Sequence, residues 1–169
     1  MDHSNYTRTL LVPRPPQEVY DAIRSIAAWW TINVEGSADR SGDSFLIRFG
    51  DPVTGRLVHR TVQRITEAVP GQRIAWTVTE CLMPWLKEQE EWKGTTMVFD
   101  LSAEGEGTRI DFTHIGLTPQ VECFEQCERG WTYFLEESLR ELIVSGTGRP
   151  DTSDRNHMDT IGHVHPTNP

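Results

Sequence analysis

The chain has little cysteine: three residues, Cys81, Cys123 and Cys127, in 169. So small and odd a number excludes a disulfide scaffold and points to a reducing compartment. No apolar run approaches the ~20 residues of a membrane span. The opening residues MDHSNYTRT lack the basic-then-apolar order of a secretory signal. Lipid-anchoring motifs are missing as well. A cytoplasmic location is the expectation. Basic side chains are also scarce, with 16 Lys and Arg against 25 Asp and Glu and a net charge of −9. Phosphate binding needs a basic face, so nucleic acid and anionic membrane surfaces are disfavoured as partners. There is no phosphate loop, no GxSxG nucleophile and no paired-carboxylate site with usable context. No cofactor and no metal are expected.

What is present fits one globular domain with a substantial core, 37% apolar and 24% charged. Thr118–Gly148 carries Phe124, Cys127, Trp131, Phe134, Leu135, Leu139, Leu142 and Ile143 at three- and four-residue spacings. That is the apolar stripe of a long amphipathic helix. Thr118 suits its cap and Pro119 its first turn, while Gly146, Gly148 and Pro150 stop it. Gly130 marks a bend or a close approach beside Trp131, dividing a short leading part from a longer gripping part.

Upstream the period changes. Tyr6–Val12 reads as a strand, and Pro16 opens a short helical region with Val19, Tyr20, Ile23 and Ile26 inward. Trp29 and Trp30 follow; being adjacent they point apart, one into the core and the other capping its end. From Ile32 to Gly116 the period is two. Phe45, Ile47 and Phe49 share one face, as do Ile74, Trp76 and Val78, then Met97, Phe99 and Leu101, then Ile110, Phe112 and His114. Arg56–Ala68 is a long strand with a bulge, because Val58 and Val62 fall out of register with Ile65. Cys81–Gly94 interrupts the rhythm as a charged excursion flanked by Trp85 and Trp92. Residues 151–169 form a polar tail, disordered or loosely docked.

The fold class is therefore α+β: two short helices after strand one, then a curved antiparallel sheet of about six to seven strands, covered by the C-terminal helix. A straight helix on a curved sheet leaves space between them, and that space is the candidate site.

Several motifs occur in order: Pro16–Tyr20 with Trp29-Trp30, PGQRIAW at 70–76, WKGTTMVFDL at 92–101, GTRIDFTHIGL at 107–117, GWTYFLEESL at 130–139 and SGTGRP at 145–150. Together they resemble the START-like helix-grip superfamily (SRPBCC), in the branch related to the activator of the heat-shock-protein-90 ATPase. The resemblance spans roughly residues 6–150 and implies a helix-grip domain over 1–150. It implies no single activity, because the superfamily hosts ligand carriers, aromatases and cyclases, resistance proteins and co-chaperone domains. The chaperone activator carries a separate N-terminal domain for which this chain has no room.

Six tryptophans (29, 30, 76, 85, 92, 131) are many for this length. Trp30, Trp76 and Trp131, with Phe45, Ile47 and Val78, are expected to line the cavity or fill the core. Phe99, Phe112, Phe134 and Leu135 belong to the same expected wall, and Trp85 with Trp92 to a gate. Aromatic walls with few polar anchors suit a flat hydrophobic ligand. His114 is the candidate general acid/base, with Glu80 as an inward carboxylate partner; the readings preferred over these are a hydrogen-bonded histidine at the strand end and, for Glu80, a solvent-facing strand end. Arg48, Arg60 and Arg64 decorate the sheet or bind a ligand carboxylate. Cys123 and Cys127 lie four apart near His114, but structural zinc needs a fourth ligand, and a buried-thiol reading is preferred. His163 and His165 form a weak HxH in the tail.

These features support binding of a small hydrophobic or aromatic molecule between sheet and helix. The alternatives are a cyclase, aromatase or hydrolase using His114, and a chaperone-linked interaction module. A homodimer is a candidate assembly.

Overall fold

The computed structural model describes residues 3–51 and 53–153. Its elements run β1 (Tyr6–Val12), α1 (Pro16–Arg24), α2 (Ile26–Trp29), β2 (Val34–Gly36), β3 (Ser44–Gly50), β4 (Leu57–Val69), β5 (Arg73–Leu82), β6 (Thr96–Glu104) and β7 (Gly107–Ile115). A continuous C-terminal helix follows, as α3 (Phe124–Tyr133), a π-helical stretch (Phe134–Leu139) and α4 (Arg140–Ser145). The seven strands form one antiparallel sheet ordered β1-β7-β6-β5-β4-β3-β2. β2 to β7 meander, and β1 closes the far edge against β7, Tyr6 opposite His114 and Val12 opposite Thr108. This is the α+β helix-grip arrangement. No helix among the described residues is long and apolar enough to cross a membrane.

One face of the sheet packs under α1, α2 and the long helix in a single core, with Val19, Ile23, Trp29, Leu135 and Leu139 from the helices on Ile47, Trp76, Phe99 and Phe112 from the strands. Trp29 and Trp30 do not divide between core and rim. Both are buried and stack on one another, centroids 5.7 Å apart. Trp30 lies just past the end of α2, so the adjacent indoles are not splayed by helical geometry.

The long helix begins at Phe124 rather than Thr118. Thr118–Cys123 turns instead, and Cys123, at the cap position, makes no side-chain capping bond. The cap comes from another part of the chain. Glu91, in the excursion, accepts the backbone N–H of Glu122 (2.7 Å) and of Cys123 (2.9 Å). Glu122 returns the contact by accepting the N–H of Lys87 (3.0 Å) and of Glu88 (3.3 Å). A carboxylate on the orphan donors at the positive end of a helix is stabilising, and here it also fixes the excursion. Gly130 does not divide the helix either; α3 passes through it, and the irregular turn is the π-helical stretch that follows. Gly146, in the left-handed conformation (φ 89°), ends the helix as expected.

β4 is bulged, as expected. Val58 is the extra residue opposite Phe49/Gly50, and Thr66 the extra one opposite Ala75/Trp76. Between them the strand is regular. Leu57, His59, Thr61, Gln63 and Ile65 are buried, while Val58 and Val62 take the other face. On β5, Thr79 is the extra residue between the pairs Val62–Glu80 and Gln63–Val78. After it the parity reverses: Cys81 turns inward and Glu80 outward. Of the tail, Asp151 forms a parallel bridge with Thr31, and Asn33 Nδ2 donates to Ser153 O (2.8 Å). The HxH of His163 and His165 lies outside the described residues.

Candidate functional site

The middle of the cleft between helix and sheet is solid. Trp76 stacks on Trp30 (5.7 Å) and meets Phe45 and Phe99 edge-on at 5.1 and 5.2 Å. Phe112 packs against Trp131 at 4.5 Å. Phe45, Ile47, Trp76 and Val78 are thus core residues that do not border the cavity, and the same holds for Phe99, Phe112 and Leu135.

Space opens at one end, where the start of α3, the start of β4 and the excursion converge. There a cavity of about 530 Å³ is bordered by Trp30, Trp85, Trp92, Trp131 and Phe134 from the expected wall, and by Phe49, Val58, His59, Met83, Gln126, Cys127 and Gly130 beside them. Five rings around it form a closed circuit. Trp30 contacts Phe49 (5.8 Å), Phe49 contacts His59 (5.1 Å) and His59 contacts Trp92 (4.6 Å). Trp92 then lies parallel to Trp131 (6.1 Å), which returns to Trp30 (5.0 Å). Phe134 backs Phe49 at 5.4 Å. Trp85 reaches over from the excursion, 41% exposed, with its indole N–H on Val58 O (2.9 Å). A Cβ added at Gly130 would meet nothing within 4 Å, so the missing side chain leaves the cavity wall open. A larger recess of about 960 Å³ lies between β1 and the helix, where Tyr6, Phe124 and Tyr133 share the border with charged Arg8, Glu128, Arg129, Glu136 and Glu137.

His114 and Glu80 are not brought together. Glu80 sits on the outer side of the sheet, 3.9 Å from Arg60. His114 is fully buried and does not border the cavity. Its neighbours fix its tautomer. Indole nitrogen only donates, so Trp131 Nε1–H donates to His114 Nδ1 (3.0 Å), and the ring proton resides on Nε2. Nε2–H donates to Thr95 Oγ1 (2.8 Å), whose hydroxyl donates to Trp92 O (2.6 Å). Burial, with His59 adding repulsion, pushes the His114 pKa down to about 3. A neutral imidazole with both nitrogens occupied positions Trp131 and Trp92; it offers no lone pair to a substrate. His59 also stays neutral, pushed down to about 3 by burial, with Nε2 bonded to Thr61 Oγ1 (3.0 Å).

Two of the thiols, Cys81 and Cys127, are held in the protonated form. Cys123 and Cys127 place their sulfurs 2.6 Å apart without a disulfide, and the Cys127 pKa is raised by that contact first and by burial second. Burial pushes Cys81 up to about 11. Among the described residues no group of three or more His, Cys, Asp or Glu is placed to hold a metal ion.

A family model described as Activator of Hsp90 ATPase homolog 1-like protein matches residues 13–143. The chain belongs to that family. Solved structures with the same fold include the Aha1 dimer from Colwellia psychrerythraea, at 21% identity and TM-score 0.65, covering 86% of this chain and 99% of that one. Protein Mll3558 from Rhizobium loti gives 24% identity and TM-score 0.62 over 79% and 93% of the two chains. DynU16, from the dynemicin biosynthetic locus, gives 19% identity and TM-score 0.60 over 86% of this chain and 49% of its own. Identities this low establish the fold alone. No curated protein matches the sequence.

Within this Activator of Hsp90 ATPase homolog 1-like domain, the cavity residues that sequence reasoning passed over are Phe49, His59, Met83, Gln126 and Gly130, with Asp51 and Asp151. A signal for His59 existed: Leu57, His59, Thr61, Gln63 and Ile65 alternate strictly. It was masked because the central inward positions, His59, Thr61 and Gln63, are polar while Val58 and Val62 lie on the outward face.

Proposed function

We propose that this chain binds a small, largely apolar, aromatic molecule in the cavity at the open end of the helix–sheet cleft. The observation that carries the reading is the closed circuit of Trp30, Phe49, His59, Trp92 and Trp131 around about 530 Å³. A volume of that size, walled by rings and few polar groups, suits a drug-sized ligand. Membership of a family with the helix-grip fold is consistent with it. Acid/base catalysis by His114 gains no support from a ring whose two nitrogens are occupied inside the core. The reading includes a cytoplasmic location and a homodimer as the candidate assembly, which light scattering of the purified chain measures.

The test is intrinsic tryptophan fluorescence during titration with a panel of small aromatic compounds, with calorimetry on the hits. Four of the six tryptophans border the cavity, so an occupant must perturb emission. The Trp92→Leu variant should weaken the hits at least about tenfold, the equivalent of one ring contact in a desolvated pocket. Hits that bind this variant unchanged would place the site elsewhere, and a panel without hits would sink the reading.

A further inference from the structure

The cavity has a charge pattern that a purely hydrophobic ligand does not use. Two carboxylates, Asp51 and Asp151, border it, and among the described residues no Lys or Arg does. Asp151 is half-buried. Among the described residues its carboxylate accepts from Ser153, through Oγ (3.0 Å) and the backbone N–H (3.4 Å), and from the Gly50 N–H. Asp51 uses Oδ1 to hold the turn after β3, accepting the N–H groups of Val53 and Thr54, both at 2.8 Å. Among the described residues neither carboxylate has an ion-pair partner. The other acids and bases around the cavity do not supply one: His59 is held neutral by burial, and Cys127 is a thiol. A half-buried carboxylate without a counter-charge is costly unless a cation neutralises it.

The aromatic walls are suited to that cation. Trp85 and Trp131 have their indole N–H groups committed to Val58 O and His114 Nδ1. What they present to the cavity is ring surface, whose negative quadrupole attracts ammonium groups. An anionic ligand would face both carboxylates with no cation to receive it, in a chain that already carries a net charge of −9.

We propose that the ligand class is an organic cation, an amine or quaternary ammonium on an apolar body, with the body inside the aromatic circuit and the charged nitrogen toward Asp51 and Asp151. This deepens the function proposed above and rests on it. A lipid-derived quaternary ammonium and a free alkylamine share the chemistry, and the probes separate them.

Binding of four probes with one common skeleton, 4-phenylbutyltrimethylammonium, 4-phenylbutylamine, 4-phenylbutanol and 4-phenylbutyrate, is measured by calorimetry and tryptophan quenching. The expected order is cation over alcohol by about tenfold, or about 1.4 kcal/mol, with the carboxylate weakest. The trimethylammonium probe leading the amine marks a quaternary ligand, and the reverse order a primary amine; either supports the proposal. The cation advantage over the alcohol should shrink with added salt, and shrink toward parity in Asp151→Asn and Asp51→Asn. Because that advantage is a ratio within one protein, a mildly destabilised variant still reports it, and the wild-type series stands without variants. Equal binding of cation and alcohol, or tighter binding of the carboxylate, would overturn the cation proposal while leaving the cavity reading intact. No binding by any of the four overturns this proposal, and failure of the wider aromatic panel as well sinks the underlying reading.

Discussion

Two imidazoles buried in the neutral state make this fold sensitive to mild acid. His59 and His114 lie edge-on to the Trp92 ring, each with its centroid at 4.6 Å, and both are held at a pKa of about 3. In the unfolded chain each titrates near 6.5. Between about pH 6.5 and 3 the unfolded state binds more protons than the folded one, so stability falls as pH falls, and the loss saturates below about pH 3. At pH 5 each histidine costs about 2 kcal/mol, from RT ln(1 + 10^1.5), and the pair about 4 kcal/mol. Against a typical total of about 5–15 kcal/mol that is a large fraction. Carboxylates held below their ordinary range, Asp43, Asp51, Asp111 and Glu136, contribute stability that is lost only lower, as pH drops through and below about 4. Asp151, raised by burial, has the opposite sign, its penalty growing as pH rises through its range. Urea unfolding at pH 7 and pH 5, with equal m-values, gives the difference directly. His59→Gln should roughly halve the dependence. A difference under about 1 kcal/mol in the wild type would refute the neutral, buried assignment of both rings.

Other substitutions separate packing from binding. Trp131→Ala removes a buried indole and orphans His114 Nδ1, and should cost about 3–5 kcal/mol and abolish ligand binding; unchanged melting and binding would refute its central place. Gly130→Ala should stabilise the helix by roughly 0.5–1 kcal/mol, since its Cβ meets nothing, yet weaken ligand binding by filling the wall; calorimetry that finds binding improved contradicts that geometry. Glu91→Gln should cost about 1 kcal/mol through the weakened cap and raise amide exchange at Glu122 and Cys123 and across the excursion. Exchange rates that stay put would show that the excursion is fixed by other contacts.

The sheet and its order were legible because most inward faces alternate apolar residues, as along Ile74, Trp76 and Val78, and because short turns force antiparallel neighbours. The helix body was legible from its stripe, but its start was not. Thr118 and Pro119 are good local start signals, and what overrides them is a carboxylate some thirty residues away, at Glu91. The inward reading of Glu80 fails for a similar reason, and its solvent-facing reading holds. Alternation from Ile74 through Val78 sends it inward, and the one extra residue at Thr79 sends it out. Bulges of this kind carry no local mark that distinguishes Thr79 from its neighbours.

The wall residues show why the cavity sits where it does. Along the middle of the cleft Trp30, Trp76, Phe99 and Phe112 meet ring to ring. At the open end three features withhold volume together. Gly130 leaves one helix position bare, β4 turns His59 rather than a larger apolar residue inward, and the Glu91–Glu122 clasp holds the excursion so that Trp92 forms a wall instead of collapsing inward. Apart from the clasp, the site carries groups that cost stability where apolar infill would supply it: a helical glycine, the desolvated His59 imidazole, and an indole N–H on Trp92 with no acceptor among the described residues. A core under selection for stability alone would fill such a site. Departures from local consistency that cluster around one cavity are what a binding site requires, and their convergence on a single end of the cleft is the strongest physical reason to look for the ligand there.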